Sequence, residues 1–349
     1  MKRFKRGLVV GKFSPLHRGH EWLIRRAVEG CDDLAIISYS QPEFAGCEAE
    51  RRAQWLAELF PQTRRLVLTD ATLRAHFVAD DEFSRLPSNE ADAQLHRRFC
   101  GFLCAKILKF PVEAIFSSEA YGPGFAQELT RYFRATDPTY PEVQHLMVDP
   151  ARSEIPISGT RLRADIHGLK HYLSPAVYAS FVERIALLGG ESSGKSTLAQ
   201  ALATHYQTSH VSEYGRELWE EKAGALAYDD LLVIAQRQVE REERQARTAR
   251  RFLFCDTTPL TTLFYCRDLF GQAPAALEKL AERAYALVVL CAPDFAFVQD
   301  GTRRDEAFRQ RQHAWYLAEL RARGIEPLVV TGSLPDRIRQ VEDRIGAKG

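Results

Sequence analysis

The sequence of residues 7–20 is GLVVGKFSPLHRGH, and this stretch decides the fold of the first half of the chain. A short apolar run stops at Gly11, and a helix-patterned run follows over 21–29. A glycine-containing turn from strand to helix lets the backbone approach a phosphate, and the helix N-terminus adds partial positive charge. His17 and His20 stand three positions apart, so both can donate hydrogen bonds to that anion. The stretch predicts a nucleotide site that works by positioning and electrostatics.

Short apolar runs alternate with helical patterns along the whole chain. In the first half they occupy 8–11, 34–39, 66–69, 114–117 and 145–148, and in the second half 185–188, 209–211, 252–256, 287–290 and 327–330. This alternation is typical of α/β proteins and predicts two doubly wound parallel-sheet domains. We expect the first domain at 1–167, a connector containing Pro175 at 168–183, and the second domain at 184–349.

The clearest helical period lies at 91–109. Its apolar residues recur at the spacing of one helix face, so we expect them to pack together in the core of the first domain. They are Leu95, Phe99, Phe102, Leu103 and Ile107.

A second glycine-rich stretch lies at 185–196, with the sequence IALLGGESSGKS. It satisfies the P-loop pattern G-x-x-x-x-G-K-[ST] between an apolar strand and a helical run, which is the context that this motif requires. Lys195 would reach the β- and γ-phosphate oxygens of ATP, and Ser196 would ligate Mg²⁺. The predicted nucleotide-binding residues of this loop are Gly189, Gly190, Glu191, Ser192, Ser193, Gly194, Lys195, Ser196 and Thr197.

The rest of the second half favours a small-molecule kinase among P-loop proteins. The apolar run 252–255 ends in Asp256, the Walker B arrangement that places a carboxylate near the metal, so Ser196 and Asp256 form the predicted Mg²⁺ site. Acceptor-binding and lid groups are predicted at Glu213, Tyr214, Arg216, Arg303 and Arg304. The nearby Arg309 and Arg311 fit either the same lid or a solvated charged helix.

The first stretch resembles the GxFxPxHxGH signature of the HxGH nucleotidyltransferase superfamily, whose domain is Rossmann-like. Residues 157–163, ISGTRLR, are similar to the ISxTxxR signature of the same superfamily. The resemblance implies that His17 and His20 are catalytic. It also implies an ATP site formed by Gly11, Lys12, Phe13, Gly19, Ser158, Thr160 and Arg163.

The order of these motifs resembles the bifunctional nicotinamide-nucleotide adenylyltransferase/ribosylnicotinamide kinase family, the NadR type. Further matching pieces are FSSEAYG at 116–122, VDPAR at 148–152 and SEYGRE at 212–217. The resemblance implies two steps of NAD biosynthesis, with ATP as co-substrate and Mg²⁺ as cofactor. The second domain would phosphorylate ribosylnicotinamide to nicotinamide mononucleotide, and the first would adenylylate that product to NAD. The chain begins almost at the first strand, so we expect none of the N-terminal DNA-binding domain that some family members carry.

Two other functions stay open at this point. One is a phosphopantetheine adenylyltransferase fused to a dephospho-coenzyme A kinase, which pairs the same two kinds of module. The other is a nucleotide-sensing regulator that binds ATP and NAD with little turnover. Activity assays with the respective substrates distinguish the three.

Composition restricts the partners and the compartment. Lys and Arg (47) balance Asp and Glu (46), so no global charge favours nucleic acid or a membrane surface as a partner. The seven cysteines include no CxxC pair, and no apolar run approaches the roughly 20 residues of a membrane span. We therefore expect a cytoplasmic enzyme whose partners are its small-molecule substrates and products; both a monomer and a homo-oligomer are compatible with the sequence.

Overall fold

In the part of the chain that the structure describes, ten parallel strands form two sheets. The computed structural model describes residues 2–76, 82–119, 122–297 and 304–347 of the chain. The chain divides into two compact units, unit 1 at Met1–Ser180 and unit 2 at Phe181–Gly349. This division falls within the predicted connector, 168–183, and the bounds of the functional domains stay a prediction.

Unit 1 contains a five-stranded sheet of order β3-β2-β1-β4-β5, in which every neighbouring pair is parallel. Its strands are β1 (Phe4–Val10), β2 (Cys31–Tyr39), β3 (Arg64–Leu68), β4 (Ala114–Ser117) and β5 (Gln144–Met147). Its helices are α1 (Arg18–Gly30), α2 (Ala49–Leu59), α3 (Asp70–Arg74), α4 (Ala93–Phe102), α5 (Gly122–Arg134), α6 (Gly159–Ala164) and α7 (Pro175–Tyr178). Because crossover helices cover both faces, the inner strands β2 and β4 are largely apolar and buried, whereas the edge strands β3 and β5 are more exposed.

Unit 2 contains a second parallel sheet, of order β10-β9-β6-β8-β7. Its strands are β6 (Glu183–Gly189), β7 (Ser209–Val211), β8 (Phe252–Asp256), β9 (Leu287–Cys291) and β10 (Leu328–Val330). Its helices are α8 (Lys195–His205), α9 (Tyr214–Glu221), α10 (Tyr228–Ala246), α11 (Pro259–Phe270), α12 (Ala275–Leu280), α13 (Glu306–Ala322) and α14 (Leu334–Gly346). Apolar clusters lie on both faces of this sheet, one against α10 and α11 and the other against α8 and α14.

The predicted fold class is confirmed, because both halves are doubly wound α/β units and each of the ten predicted runs falls on a strand. β1 begins earlier than predicted. Its first residue, Phe4, is buried and meets the ring of Phe116 edge-on, with centroids 6.5 Å apart. That contact extends the strand through the polar residues 5 and 6, which periodicity alone assigns to a loop.

The helix predicted at 91–109 is α4 followed by a π-helical turn at Leu103–Ile107. Phe99 and Leu103 are fully buried, as predicted, whereas Leu95 is 40% exposed. Periodicity gives the direction of a side chain but not whether another element covers it, and Leu95 stands in the first turn of the helix. Ile107, at the other end of the predicted face, is only partly buried, so the face is fully buried only in its middle part.

The central strands place the two motif loops. β1 lies between β2 and β4, and β6 lies between β8 and β9. In doubly wound sheets, ligands bind beyond the carboxyl ends of strands where the strand order reverses. The loops that follow β1 and β6 lie at that edge of their sheets.

All seven cysteines are buried and none forms a disulfide. Among the described residues, the helices include none with the length and apolarity needed to cross a membrane.

Replacing Phe99 with alanine tests the unit 1 core. The Phe99 ring meets Tyr39 and Phe83 with centroid separations of 5.1 Å each. We expect the free energy of unfolding of unit 1 to fall by roughly 3–5 kcal/mol, since a buried aromatic ring leaves a cavity. Hydrogen exchange of peptides from β1 and β4, followed by mass spectrometry, measures this. Leu95→Ala on the same helix is the matched control, with an expected change of about 0.5 kcal/mol. Equal losses for both variants would contradict the burial described above.

Candidate functional site

The loop between β1 and α1 is held by its carbonyl groups. The carbonyl oxygen of Lys12 accepts hydrogen bonds from Ser14 Oγ (3.1 Å) and Ser38 Oγ (3.2 Å), with Arg52 Nη1 at 3.4 Å. The Arg52 side chain is fully buried and also donates to Ser38 Oγ, at 2.6 Å. Phe13 adopts a positive φ of 48°, which turns the backbone sharply between strand and helix. Side chains of the protein itself therefore fix the position of the loop.

His17 and His20 form a stacked pair at the start of α1. Their ring centroids are 3.6 Å apart with 18° between the planes. The backbone N–H of His20 donates to Nδ1 of His17 (3.3 Å), and the backbone N–H of His17 donates to Nδ1 of His20 (3.4 Å). This reciprocal pair caps the helix in the way that a capping box does. The local fold itself therefore orients both rings.

Both imidazoles are neutral at physiological pH. Burial lowers the pKa of His17 to about 4, and the positive charge of Arg152 acts in the same direction. Burial also lowers the pKa of His20 well below its usual value, with His17 and Arg152 contributing. Because each Nδ1 accepts a backbone hydrogen bond, the proton of each ring lies on Nε2. The site thus contains two N–H donors that do not depend on a charged histidine.

Residues 157–163, the second motif of unit 1, contact the loop that follows β1. Ser158 caps α6, and its side chain accepts from Arg161 N at 3.3 Å. Arg163 Nη1 donates to the carbonyl oxygen of Ser14 at 2.5 Å, and Nη2 donates to Thr160 Oγ1 at 3.2 Å. Residues far apart in sequence are thereby joined at one loop.

These elements line a cavity of about 570 Å³. Every predicted residue of the first nucleotide site lines it: Gly11, Lys12, Phe13, His17, Gly19, His20, Ser158, Thr160 and Arg163. Sequence reasoning missed further lining residues, among them Trp22, Tyr39, Asn89, His96, Arg97 and Arg152. Tyr39 ends β2, so the rule that ligands bind at the carboxyl ends of strands could have identified it.

The P-loop of unit 2 connects β6 to α8 with an unusual backbone. Gly189, Ser192 and Gly194 have φ values of 148°, 56° and 80°. Lys195 Nζ donates to the carbonyl oxygen of Gly190 at 2.9 Å, so the lysine lies folded over its own loop. Such a loop directs consecutive N–H groups towards a bound phosphate.

Glu191 connects this loop to its surroundings. One carboxylate oxygen accepts from the hydroxyl of Tyr265 (2.9 Å), and the other accepts from the backbone N–H of Arg304 (2.7 Å). Its own N–H donates to Gln312 Oε1 at 3.0 Å. The sequence predicts Glu191 only as part of the loop. In the structure Glu191 also connects the loop to α11 and α13.

Two carboxylates lie beside the P-loop. Asp256 ends β8 and is 4% exposed, and its Oδ1 has no hydrogen-bond partner within the described parts of the chain. Burial raises the pKa of Asp256, opposed by the charge of Lys195 and a hydrogen bond from Ser196. Burial likewise raises the pKa of Glu213, and the nearby charge of Asp256 adds to it. A bound cation would lower both pKa values, because it stabilises the charged form of each carboxylate.

A cavity of about 490 Å³ in unit 2 contains most of the predicted kinase residues. Its lining includes the loop from Glu191 to Thr197, together with Glu213, Arg216 and Arg304. Its other end is largely apolar and was not predicted; it is lined by Trp219, Leu226, Leu231, Ile234, Tyr265 and Leu269.

Some predicted kinase residues do not line this cavity, among them Gly189, Gly190 and Asp256. The ring of Tyr214 packs under the guanidinium of Arg241, 4.7 Å from its centroid, and Tyr214 is not among the residues that line the cavity. Arg303 lies outside the described residues. The Arg304 guanidinium pairs with Asp268 at 2.6 Å, and Arg309 is 3% exposed rather than solvated.

Among the comparisons with known proteins, a family match lies within unit 2. Residues 184–337 match a family described as AAA domain. The chain is 29% identical over 319 residues to the trifunctional NAD biosynthesis/regulator protein NadR of Salmonella typhimurium, covering 85% of this chain and 71% of that protein. The Escherichia coli protein of the same name is 29% identical over 313 residues, with the same shares. The chain is therefore homologous to these proteins.

Two solved structures share the fold of this chain. A crystal structure of NadR in complex with NR superimposes with a TM-score of 0.66, and one in complex with NAD and AMP-PNP with a TM-score of 0.64. Each is 19% identical, and they cover 98% and 99% of this chain and 96% and 97% of their own. At that identity the likeness concerns the fold.

The tautomers of His17 and His20 can be measured directly. We expect histidine side-chain ¹⁵N resonances typical of the neutral form with the proton on Nε2, and unchanged between pH 7.5 and 5.5, because burial keeps both pKa values low. Long-range ¹H–¹⁵N spectra of the free protein measure this, with His17→Gln and His20→Gln providing the assignments. Free histidine in the same buffer, with an ordinary imidazole pKa of about 6.5, is the control for the pH range. Titration of His17 near pH 6.5 would contradict the site described here.

Proposed function

Because this chain is a homologue of the NadR proteins, we propose that it catalyses two successive ATP-dependent steps of NAD biosynthesis. Unit 2 phosphorylates ribosylnicotinamide to nicotinamide mononucleotide. Unit 1 transfers the adenylyl group of a second ATP to that product, giving NAD and pyrophosphate. The observation that supports the proposal is that each unit has its own strand–loop–helix turn beside a cavity, with different chemical groups next to the loop.

Adenylyl transfer needs no covalent intermediate in this proposal. A phosphate oxygen of nicotinamide mononucleotide attacks the α-phosphorus of ATP, and the bond to the β,γ-pyrophosphate breaks. The Nε2–H groups of His17 and His20 donate to the α-phosphate as negative charge develops on its oxygens. Arg163 fixes the loop through Ser14, so that the donors are in place before the reaction. Neutral donors suit this task because they stabilise charge without transferring a proton.

Phosphoryl transfer in unit 2 rests on the P-loop. Lys195 Nζ donates to the carbonyl oxygen of Gly190, and it would turn to the β- and γ-phosphate oxygens of bound ATP. A ribose hydroxyl of ribosylnicotinamide attacks the γ-phosphorus, and ADP leaves. Burial raises the pKa of Glu213, which makes this carboxylate a stronger base and suits it to accept the hydroxyl proton.

Mg²⁺ fits the groups beside the P-loop. Asp256 Oδ1 is buried without a hydrogen-bond partner in the described residues. Because burying an unpaired charge is costly, a carboxylate in that position would be stabilised by a bound cation. Mg²⁺ is commonly bound by one or two protein groups, with phosphate oxygens and water completing the shell. Ser196 and Asp256 would hold the ion, which supplies neutralisation of the phosphate charge.

The apolar end of the unit 2 cavity suits the flat aromatic base of the acceptor. Trp219 and Tyr265 offer ring surfaces, and Leu231 and Ile234 complete the wall. The carboxylates at the opposite end, near the P-loop, would contact the ribose hydroxyls. This polarity orients the nucleoside with its ribose towards the phosphate to be transferred.

The alternative functions are less well supported. A phosphopantetheine adenylyltransferase/dephospho-coenzyme A kinase fusion would not be expected to be homologous over 85% of the chain to NAD biosynthesis proteins. A sensor with little turnover would have no need for two complete sets of charge-stabilising groups. We further propose that the enzyme is cytoplasmic, and that its partners are ATP, ribosylnicotinamide, nicotinamide mononucleotide and NAD.

Two substitutions separate the steps. Lys195→Ala removes the cation that stabilises the transferring phosphoryl group, and we expect NAD formation from ribosylnicotinamide to fall by on the order of 10²–10³. The same variant should form NAD from supplied nicotinamide mononucleotide at the wild-type rate. His20→Ala should lower adenylyl transfer by on the order of 10²–10³ and leave ADP release from ribosylnicotinamide unchanged. Coupled assays of NAD, ADP and pyrophosphate measure each step.

The supplied-mononucleotide assay decides the proposal for unit 1. If the wild-type protein with Mg²⁺ and ATP makes no NAD from nicotinamide mononucleotide, unit 1 has another substrate. Phosphopantetheine and dephospho-coenzyme A, offered under the same conditions, test the alternative pair. Equal loss of both activities in either variant would refute the assignment of one reaction to each unit.

Specific DNA binding is not expected. The net charge of +1 gives no general attraction to phosphate backbones, so any binding should be weak and lost with modest salt. Electrophoretic mobility shifts with genomic DNA fragments, at 50 and 200 mM salt, measure this. A shift that survives at 200 mM salt with one fragment and not with the others would contradict the expectation.

A further inference from the structure

A buried arginine lies directly behind the P-loop of unit 2. Arg337, on α14, is 2% exposed, and its guanidinium faces the loop. Nη1 donates to the carbonyl oxygen of Ser193 at 2.7 Å. Nε donates to Gly332 O and Nη2 to Ala292 O, both at 3.0 Å, and Nη2 also pairs with Asp294. The side chain therefore joins three segments, the loop and the ends of β9 and β10, at a single point.

The contact with Ser193 determines the direction of a neighbouring N–H group. The peptide bond between Ser193 and Gly194 is trans, so its carbonyl and its N–H point to opposite sides. By holding the carbonyl towards the protein, Arg337 turns the N–H of Gly194 towards the open side of the loop, where the cavity lies. A backbone N–H in that position, one residue before the P-loop lysine, is a phosphate donor.

The surroundings leave Arg337 little freedom to move. Its guanidinium lies 4.9 Å from the ring centroid of Phe295. A side chain at Gly194 would have its Cβ 3.3 Å from Phe295 and 3.7 Å from Arg337 Nη1. A second buried arginine, Arg309, approaches the preceding loop carbonyl, Ser192 O, at 3.4 Å and donates to Phe295 O at 2.9 Å. Two helices thus hold consecutive carbonyls of the loop.

We propose that Arg337 is a positioning residue of the kinase site, which preorganises the P-loop N–H of Gly194 for the phosphates of ATP. It is not among the residues that line the cavity, and it acts through the loop backbone. Burial of a guanidinium is costly, and an apolar side chain of similar size could fill the same volume. What an apolar side chain cannot supply is the set of donors that fixes the loop carbonyl. The inference rests on the proposed kinase function, since it assigns Arg337 a role in that reaction.

The test compares three variants of the full chain. Arg337→Met keeps most of the volume and removes every donor, and Arg337→Lys keeps the charge with a different donor geometry. Arg339→Met is the matched control, because Arg339 lies on the same helix with 68% of its side chain exposed. The measurements are the KM for ATP, the KM for ribosylnicotinamide, kcat, and the Kd of ADP by calorimetry.

A positioning role predicts a specific pattern. We expect Arg337→Met to raise the KM for ATP and the Kd of ADP about tenfold or more, as for the loss of a charged hydrogen bond. The KM for ribosylnicotinamide and the adenylyl transfer from supplied nicotinamide mononucleotide should stay unchanged. Arg337→Lys should fall between wild type and Arg337→Met. Arg339→Met should match wild type in every measurement.

A merely structural role predicts a different pattern. Partial unfolding lowers the fraction of active protein, so kcat would fall while both KM values and the Kd of ADP stay the same, and this result would overturn the proposal. If Arg337→Met does not fold, Arg337→Lys decides: wild-type affinity for ADP in that variant also overturns it. Because the Kd of ADP needs no acceptor, the role of Arg337 can be decided even if ribosylnicotinamide proves not to be the substrate.

Discussion

Both nucleotide loops obey one constraint of the peptide bond. Carbonyl and N–H point in opposite directions across a trans peptide, so a loop that offers its N–H groups to a phosphate turns its carbonyls into the protein. A buried carbonyl needs a donor. In unit 1 the Lys12 carbonyl receives hydrogen bonds from Ser38 and Arg52, and in unit 2 the Ser193 carbonyl receives one from Arg337. Arginine suits this place, because its fork of donors is rigid and its charge does not titrate.

The sequence predicts the architecture well because the signals for it are local. A parallel strand covered on both faces is a short apolar run, and the glycines at 11 and 189 mark where two of these runs end. The chemistry of each loop is also local, since His17 and His20, or the residues of the P-loop, follow one another within a few positions. Such groups are brought together by secondary structure alone, and the structure places them around their cavities.

What the sequence does not predict depends on contacts between distant segments. Arginines are usually solvated, so neither Arg52 nor Arg337 stands out in composition or periodicity, yet both are among the buried polar residues. Arg309 fits a lid or a solvated helix by its sequence, and its burial follows from the packing of α13 against the P-loop. The apolar end of the unit 2 cavity combines α9, α10 and α11, and no single segment indicates it.

The separation of Ser193 and Arg337 along the chain has a consequence for synthesis. A chain leaves the ribosome from its N-terminus, and its domains fold as they emerge. The first site has all the residues that hold its loop once Arg163 has emerged, 149 positions after Ser14. The P-loop emerges early in unit 2, but Arg337, which donates to its Ser193 carbonyl, lies 144 positions later on α14. A growing chain would thus complete the site for the second reaction of the proposed pathway before the site for the first.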